Sequence, residues 1–192
     1  MADRSGSGNR GGRRFPPRRR GPGSHHRGRA AGPGPGGGRK GPRPGGGLDL
    51  REDGPGVFEL VHPACVEERQ EDFEEGLALW EAGEPEDARD ALRFALEGCG
   101  DNLWVHVALG RLALEEFRDP PLARGHFGYA LSLAQQAIPH DLAGALPPDR
   151  PANRPLYDAI AGLIACCEAL KQPDEVDHLT RLRTALSGGA IR

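Results

Sequence analysis

One pattern occurs twice at a spacing of 35 residues, and that spacing constrains the chain more than any other feature. Ala88 to Leu96 reads A-x-x-x-L-x-x-A-L, and Ala123 to Leu131 reads A-x-x-x-F-x-x-A-L. Ala88, Leu92, Ala95 and Leu96 thus match Ala123, Phe127, Ala130 and Leu131. A fixed period of this length marks repeated supersecondary units that bury their apolar faces on one another. Small residues let paired helices approach, and larger ones fill the space between them.

Apolar residues at helical spacing extend this reading to six helices. Helix 1 is expected over 63–82, with Val66, Phe73, Leu77 and Trp80 on one face and Gly83 as its stop. Helix 2 is expected over 85–98, with Pro85, Glu86 and Asp87 suited to a first turn. Helix 3 is expected over 102–117, with Asp101 or Asn102 as N-cap. Helix 4 opens at Pro120-Pro121, helix 5 near Pro155 and helix 6 near Pro173. The prolines between 138 and 154 mark an extended connector that could itself be a contact loop. No stretch shows sustained two-residue alternation, so the expected fold class is all-α.

The repeat resembles the tetratricopeptide repeat family, in which a Gly inside the first helix and a Gly at the turn precede A-x-x-x-F-x-x-A-L in the second. Gly76, Gly83, Ala88, Leu92, Ala95 and Leu96 carry the resemblance in the first unit. Leu109, Gly110, Ala123, Phe127, Ala130 and Leu131 carry it in the second, where Arg118-Asp119 replaces the turn Gly. A third unit, Leu156 to Leu186, keeps only the helix-turn-helix rhythm, with Val176 and Thr180 where Ala and an aromatic are usual. The resemblance implies three stacked antiparallel helical hairpins in a short solenoid. It also implies a scaffold whose first helices line a partner groove. The groove positions are Phe73, Leu77 and Trp80 on helix 1 and Trp104, Val107 and Arg111 on helix 3. Each apolar member also reads as plain core packing. A Lys/Asn clamp for a peptide carboxylate is not supported, because helix 1 contains neither residue.

Ahead of the helices the composition changes. Residues 1–47 hold 12 basic and 1 acidic residue, with 16 Gly and 7 Pro. A segment so poor in apolar side chains cannot offset its ordering entropy, so 1–56 reads as a disordered basic arm and 57–192 as the helical domain. The arginines Arg10, Arg13, Arg14, Arg18, Arg19, Arg20, Arg27 and Arg29 could neutralise phosphates of RNA or DNA in a salt-sensitive way. Equally, the arm reads as a solubilising tail. Residues 48–192 hold 13 basic and 27 acidic residues, and 66–97 alone hold 12 acidic against Arg69, Arg89 and Arg93. That acidic face reads as solvated, or as a contact for a basic partner or for the arm itself.

Enzyme motifs such as G-x-x-x-x-G-K-[ST], G-x-S-x-G and H-E-x-x-H are missing, so no catalytic or cofactor residue is expected. The four cysteines, Cys65, Cys99, Cys166 and Cys167, have no C-x-x-C spacing, which fits a reducing compartment. No apolar run spans a membrane and no export signal is recognisable, so the expected setting is the cytoplasm. Antiparallel packing of helices 1 and 2 would bring Cys65 near Cys99, with His62 and Asp101 close by; a metal or redox site there is the minor reading and no metal is assigned. Cys166 and Cys167 read as one core and one bordering residue. The function expected is a non-enzymatic adaptor for an unknown protein or peptide, or else a nucleic-acid-associating protein working through its arm.

Overall fold

The computed structural model describes residues 47–188. The arm arginines from Arg10 to Arg29 lie outside these residues. Within them the chain is all-α, with seven helices and one two-stranded hairpin. Strands β1 (Asp49–Glu52) and β2 (Phe58–Val61) come first. Helices α1 (Cys65–Glu68), α2 (Gln70–Glu81), α3 (Pro85–Gly98), α4 (Leu103–Glu115), α5 (Pro120–Ala137), α6 (Arg154–Ala169) and α7 (Pro173–Leu186) follow.

From α3 onward the helices match the sequence expectation closely. α3, α5 and α7 each place a proline in the first turn, where its missing N–H costs nothing. Asn102 caps α4 by accepting from the Val105 N–H, and Asp119 caps α5 by accepting from the Leu122 N–H. α2 packs on α3, α4 on α5, and α6 on α7; α3–α4, α4–α6 and α5–α6 contacts join the pairs.

Two close approaches explain the glycines of the repeat. A methyl group on Gly76 would lie 2.7 Å from the Leu92 side chain, and one on Gly110 would lie 2.7 Å from the Phe127 ring. Gly162 on α6 faces the same ring, so Phe127, 1 % exposed, sits between two glycine surfaces. α4 is the central helix, with nine of its residues buried. A helix apolar all round must be packed on every side. Leu103, Val107 and Ala113 join a core with α5, α6 and α7, whereas Val105, Ala108, Leu109 and Leu112 join a second core with α2 and α3.

Two expectations fail at the start of the domain. Residues 49–56 were expected within the arm, yet they form β1 and the turn of a hairpin. β1 and β2 pair antiparallel with Leu50 opposite Leu60. The hairpin is held from outside: Phe58 N–H donates to the Ala145 carbonyl (2.8 Å) and Ala145 N–H to the Gly56 carbonyl (2.9 Å). Buried Asn153 accepts from Leu60 N–H (2.9 Å) and donates to the Phe58 and Pro147 carbonyls (3.1 and 3.0 Å). Strands this short are stabilised by such partners rather than by themselves. The second failure is helix 1, expected as one helix over 63–82. It breaks at Arg69, whose φ of −110° is not helical.

Candidate interaction groove

The break at Arg69 is held by side chains. Cys65 at the start of α1 is disulfide-bonded to Cys99 at the end of α3, with Cα atoms 5.5 Å apart. The Arg69 guanidinium pairs with Asp72 (3.0 Å), stands 5.7 Å from the Phe94 ring centre and covers Gly98. α1 and the first turn of α2 are thereby fixed against the end of α3, beside the start of α4.

At that junction lies a cavity of about 280 Å³, lined by Val66, Gln70, Phe73, Asn102 and Trp104. Phe73 and Trp104 are half-buried and Gln70 is exposed. The His62 ring lies on Trp104 with ring centres 3.9 Å apart. His62 Nε2 donates to the Ala152 carbonyl (2.8 Å), which leaves Nδ1 bare, buried and without a partner. Burial lowers the His62 pKa, and the Ala152 hydrogen bond offsets this only in part. His62 is therefore a neutral packing ring that holds the Trp104 side of the cavity in place.

The expected groove positions divide into three groups. Phe73 and Trp104, from the first helices of two consecutive hairpins, meet around this cavity. Leu77 and Trp80 are half-buried against the core of α3 and α4. The Trp80 ring is covered by the Arg111 guanidinium (5.2 Å), and its indole N–H donates to Glu116 (3.0 Å). Exposed Arg111 also pairs with Glu115 (3.1 Å), so that end of the face is closed by its own side chains. Val107 does not belong to the groove: it is 7 % exposed and sits in the core with Leu60 and Leu103. Its spacing on α4 did not reveal this, because both sides of α4 are apolar. Val66, Gln70 and Asn102 also line this cavity and are not among the expected positions, although Val66 precedes Phe73 by seven residues, or two helical turns.

The constellation of Cys65, Cys99, His62 and Asp101 also resolves. The two sulfurs are bonded to each other and His62 faces Ala152 and Trp104, so no ligand set assembles there. Cys166 and Cys167 are both buried, at 0 % and 1 %, where one was expected at the border. Burial and the neighbouring thiol push the Cys166 thiol up to about 11, which keeps it protonated and unreactive.

A larger cavity of about 360 Å³ lies between the end of α5, the connector and the end of α7. Leu131, Ile138, Leu142, Leu182 and Leu186 make it apolar, with Gln135 and His140 on its lining. No Phe, Tyr or Trp lines it. Comparison with protein-family models, with curated proteins and with solved structures finds no match to this chain. Among the described residues no helix is long and apolar enough to cross a membrane.

Proposed function

We propose that the protein is a non-enzymatic adaptor of the tetratricopeptide kind, which binds a segment of another protein at the Phe73–Trp104 cavity. One observation carries the reading: two half-buried aromatic side chains, from α2 and α4, line one surface cavity whose walls are fixed by a disulfide, a helix cap and the tilted His62–Trp104 ring contact. Preorganised aromatic anchors of this type bind with little ordering cost. The equivalent backbone at the three hairpin turns supports the family reading: Gly83, Arg118 and Lys171 all have positive φ, and each precedes Glu84-Pro85, Asp119-Pro120 or Gln172-Pro173.

Photo-crosslinking tests the reading. A photoreactive residue at exposed Gln70 is expected to capture a discrete protein in cells, whereas one at exposed Asp177 on α7 is not. Equal capture from both positions, or none from Gln70, contradicts it.

The second reading, nucleic-acid association, rests on the arm's 12 basic residues against 1 acidic. Anisotropy of a labelled single-stranded RNA, at low and physiological salt, tests it on the full chain and on a full-length variant in which the arginines from Arg10 to Arg29, eight of the eleven in residues 1–47, are replaced by glutamine. The cytoplasmic setting is likewise part of the proposal. Disulfides are uncommon in a reducing cytosol, so trapping the Cys65 and Cys99 thiols in cells bears directly on it.

A further inference from the structure

The charge beside the cavity narrows the class of partner. Glu74 and Glu81 follow Gln70 by four and eleven residues, so all three lie on one flank of α2. Glu67 adjoins Val66 in α1. All four side chains are exposed. Among the described residues Glu67, Glu74 and Glu81 have no ion-pair partner; Glu74 accepts only from Gln70 Nε2 (2.7 Å). The cations of this region are committed elsewhere: Arg69 to Asp72, Arg89 and Arg93 to Asp90. The lining of the cavity itself is uncharged, with Val66, Phe73 and Trp104 as its apolar wall. From Gln70 to Glu81 the flank runs about 16 Å at 1.5 Å per residue, which matches roughly five residues of extended chain.

Resting on the groove reading above, we propose that the partner is a cationic peptide segment with one apolar anchor. The anchor side chain enters the cavity between Phe73 and Trp104, and basic residues on either side of it meet Glu67, Glu74 and Glu81. Opposite charge steers the encounter, and the buried anchor fixes the register. An acidic or neutral segment with the same anchor gains nothing from that flank.

The probe is a seven-residue peptide with one phenylalanine between two runs of three arginines. It is titrated into the full-length protein at 50 mM NaCl, with Trp80 and Trp104 fluorescence as the readout. A saturable change is expected. Replacing the peptide's phenylalanine by glycine is expected to weaken it about tenfold or more, the cost of leaving an aromatic side chain unburied. Gln70→Arg with Glu74→Arg, both at exposed positions, is expected to weaken binding about tenfold, and so is 300 mM NaCl. Charge reversal at Asp174 and Glu175, exposed on α7, is expected to change nothing. Phe73→Leu, which keeps most of the volume, is expected to lower affinity without shifting the melt by much.

Binding that ignores the anchor, or that falls equally with the α7 variant, overturns the inference in favour of diffuse charge attraction. A serine-flanked or glutamate-flanked phenylalanine peptide that binds as tightly overturns the cationic class and leaves the groove intact. Binding seen only in the full-length variant with glutamines for the arm arginines supports the class, with the arm as competitor. No response from any peptide overturns the inference, and crosslinking from Gln70 then decides by itself whether the groove reading stands.

Discussion

Arg118 holds, with φ of 52°, the left-handed backbone position that Gly83 holds with φ of 80°, 35 residues earlier. Lys171 repeats it with φ of 57° at the turn between α6 and α7. The residues that follow, Glu84, Asp119 and Gln172, have φ near −110° in all three turns. The turns are one structure written with different residues, and only the first uses the residue without a Cβ penalty.

Arg118→Gly and Lys171→Gly are therefore expected to stabilise the protein. Relief of left-handed strain exceeds the entropy that glycine adds to the unfolded chain, for a net gain of about 0.5–1 kcal/mol each. Urea unfolding checks this. A loss of stability at both positions would show that the side chains, not the backbone, hold these turns.

Phe127 fills the space between Gly110 and Gly162. Phe127→Ala is expected to cost about 3–5 kcal/mol through the cavity it leaves. Gly162→Ala is expected to cost about 1–3 kcal/mol through overpacking, because the ring is held from both sides. Ala88, 0 % exposed, cannot take a carboxylate, so Ala88→Asp is expected to unfold the domain. Thermal melts of the three variants read the order directly.

The Cys65–Cys99 bond closes a separation of 34 residues. Its loss is expected to cost about 3–4 kcal/mol on the chain-entropy scale for such a loop. Unfolding with and without a reductant measures this, with Cys65→Ser/Cys99→Ser as control. The same variant is expected to weaken partner binding, because Cys65 anchors the turn that carries Val66.

Acidification is expected to destabilise the fold. His126 is lowered to about 4, first by burial and then by His106 and Arg93. His106 is also lowered by burial, against the opposing effects of its Gly100 hydrogen bond and of Asp101. Its ring packs against Tyr129, with ring centres 4.7 Å apart. Below about pH 6.5 the unfolded chain binds protons that the folded chain refuses. Stability is thus full above the unfolded value and falls as pH drops from about 6.5 toward 4. His126→Gln is expected to flatten that slope in urea titrations at pH 7.5, 5.5 and 4.5. An unchanged slope would remove His126 from the account.

Asn153 makes three hydrogen bonds with its amide while fully buried. Asn153→Ala strands one N–H and two carbonyls, at about 1–3 kcal/mol for each buried group left unmade. Hydrogen exchange is expected to accelerate first in β1 and β2. Uniform acceleration would mean that the hairpin is not held by this residue.

The helices were legible because their punctuation is chemical. Pro85, Pro120 and Pro173 stand in first turns, and the Ala/Leu/Phe pattern fixes the faces that pair. Gly54, Pro55 and Gly56 look like a continuation of the arm, so the strands on either side of them were invisible. What holds those strands is Asn153, nearly a hundred residues away, which no local pattern reports. The break at Arg69 has no Gly or Pro to announce it; tertiary partners at Cys99 and Gly98 impose it. In the groove, hairpin geometry was enough to place Cys65 near Cys99, but not to say that the sulfurs bond. Phe73 and Trp104 were legible from their helix faces. Which end of the face stays open was not, because the cover that Arg111 and Glu116 give Trp80 is a side-chain arrangement.

The most direct test of the adaptor reading is hydrogen exchange of the full-length protein, free and bound to the partner captured from Gln70. Protection confined to residues 66–73 and 102–104 is predicted, with α7 unchanged. Protection that falls instead on residues 138–146 and the end of α7 would contradict it and move the binding surface to the connector.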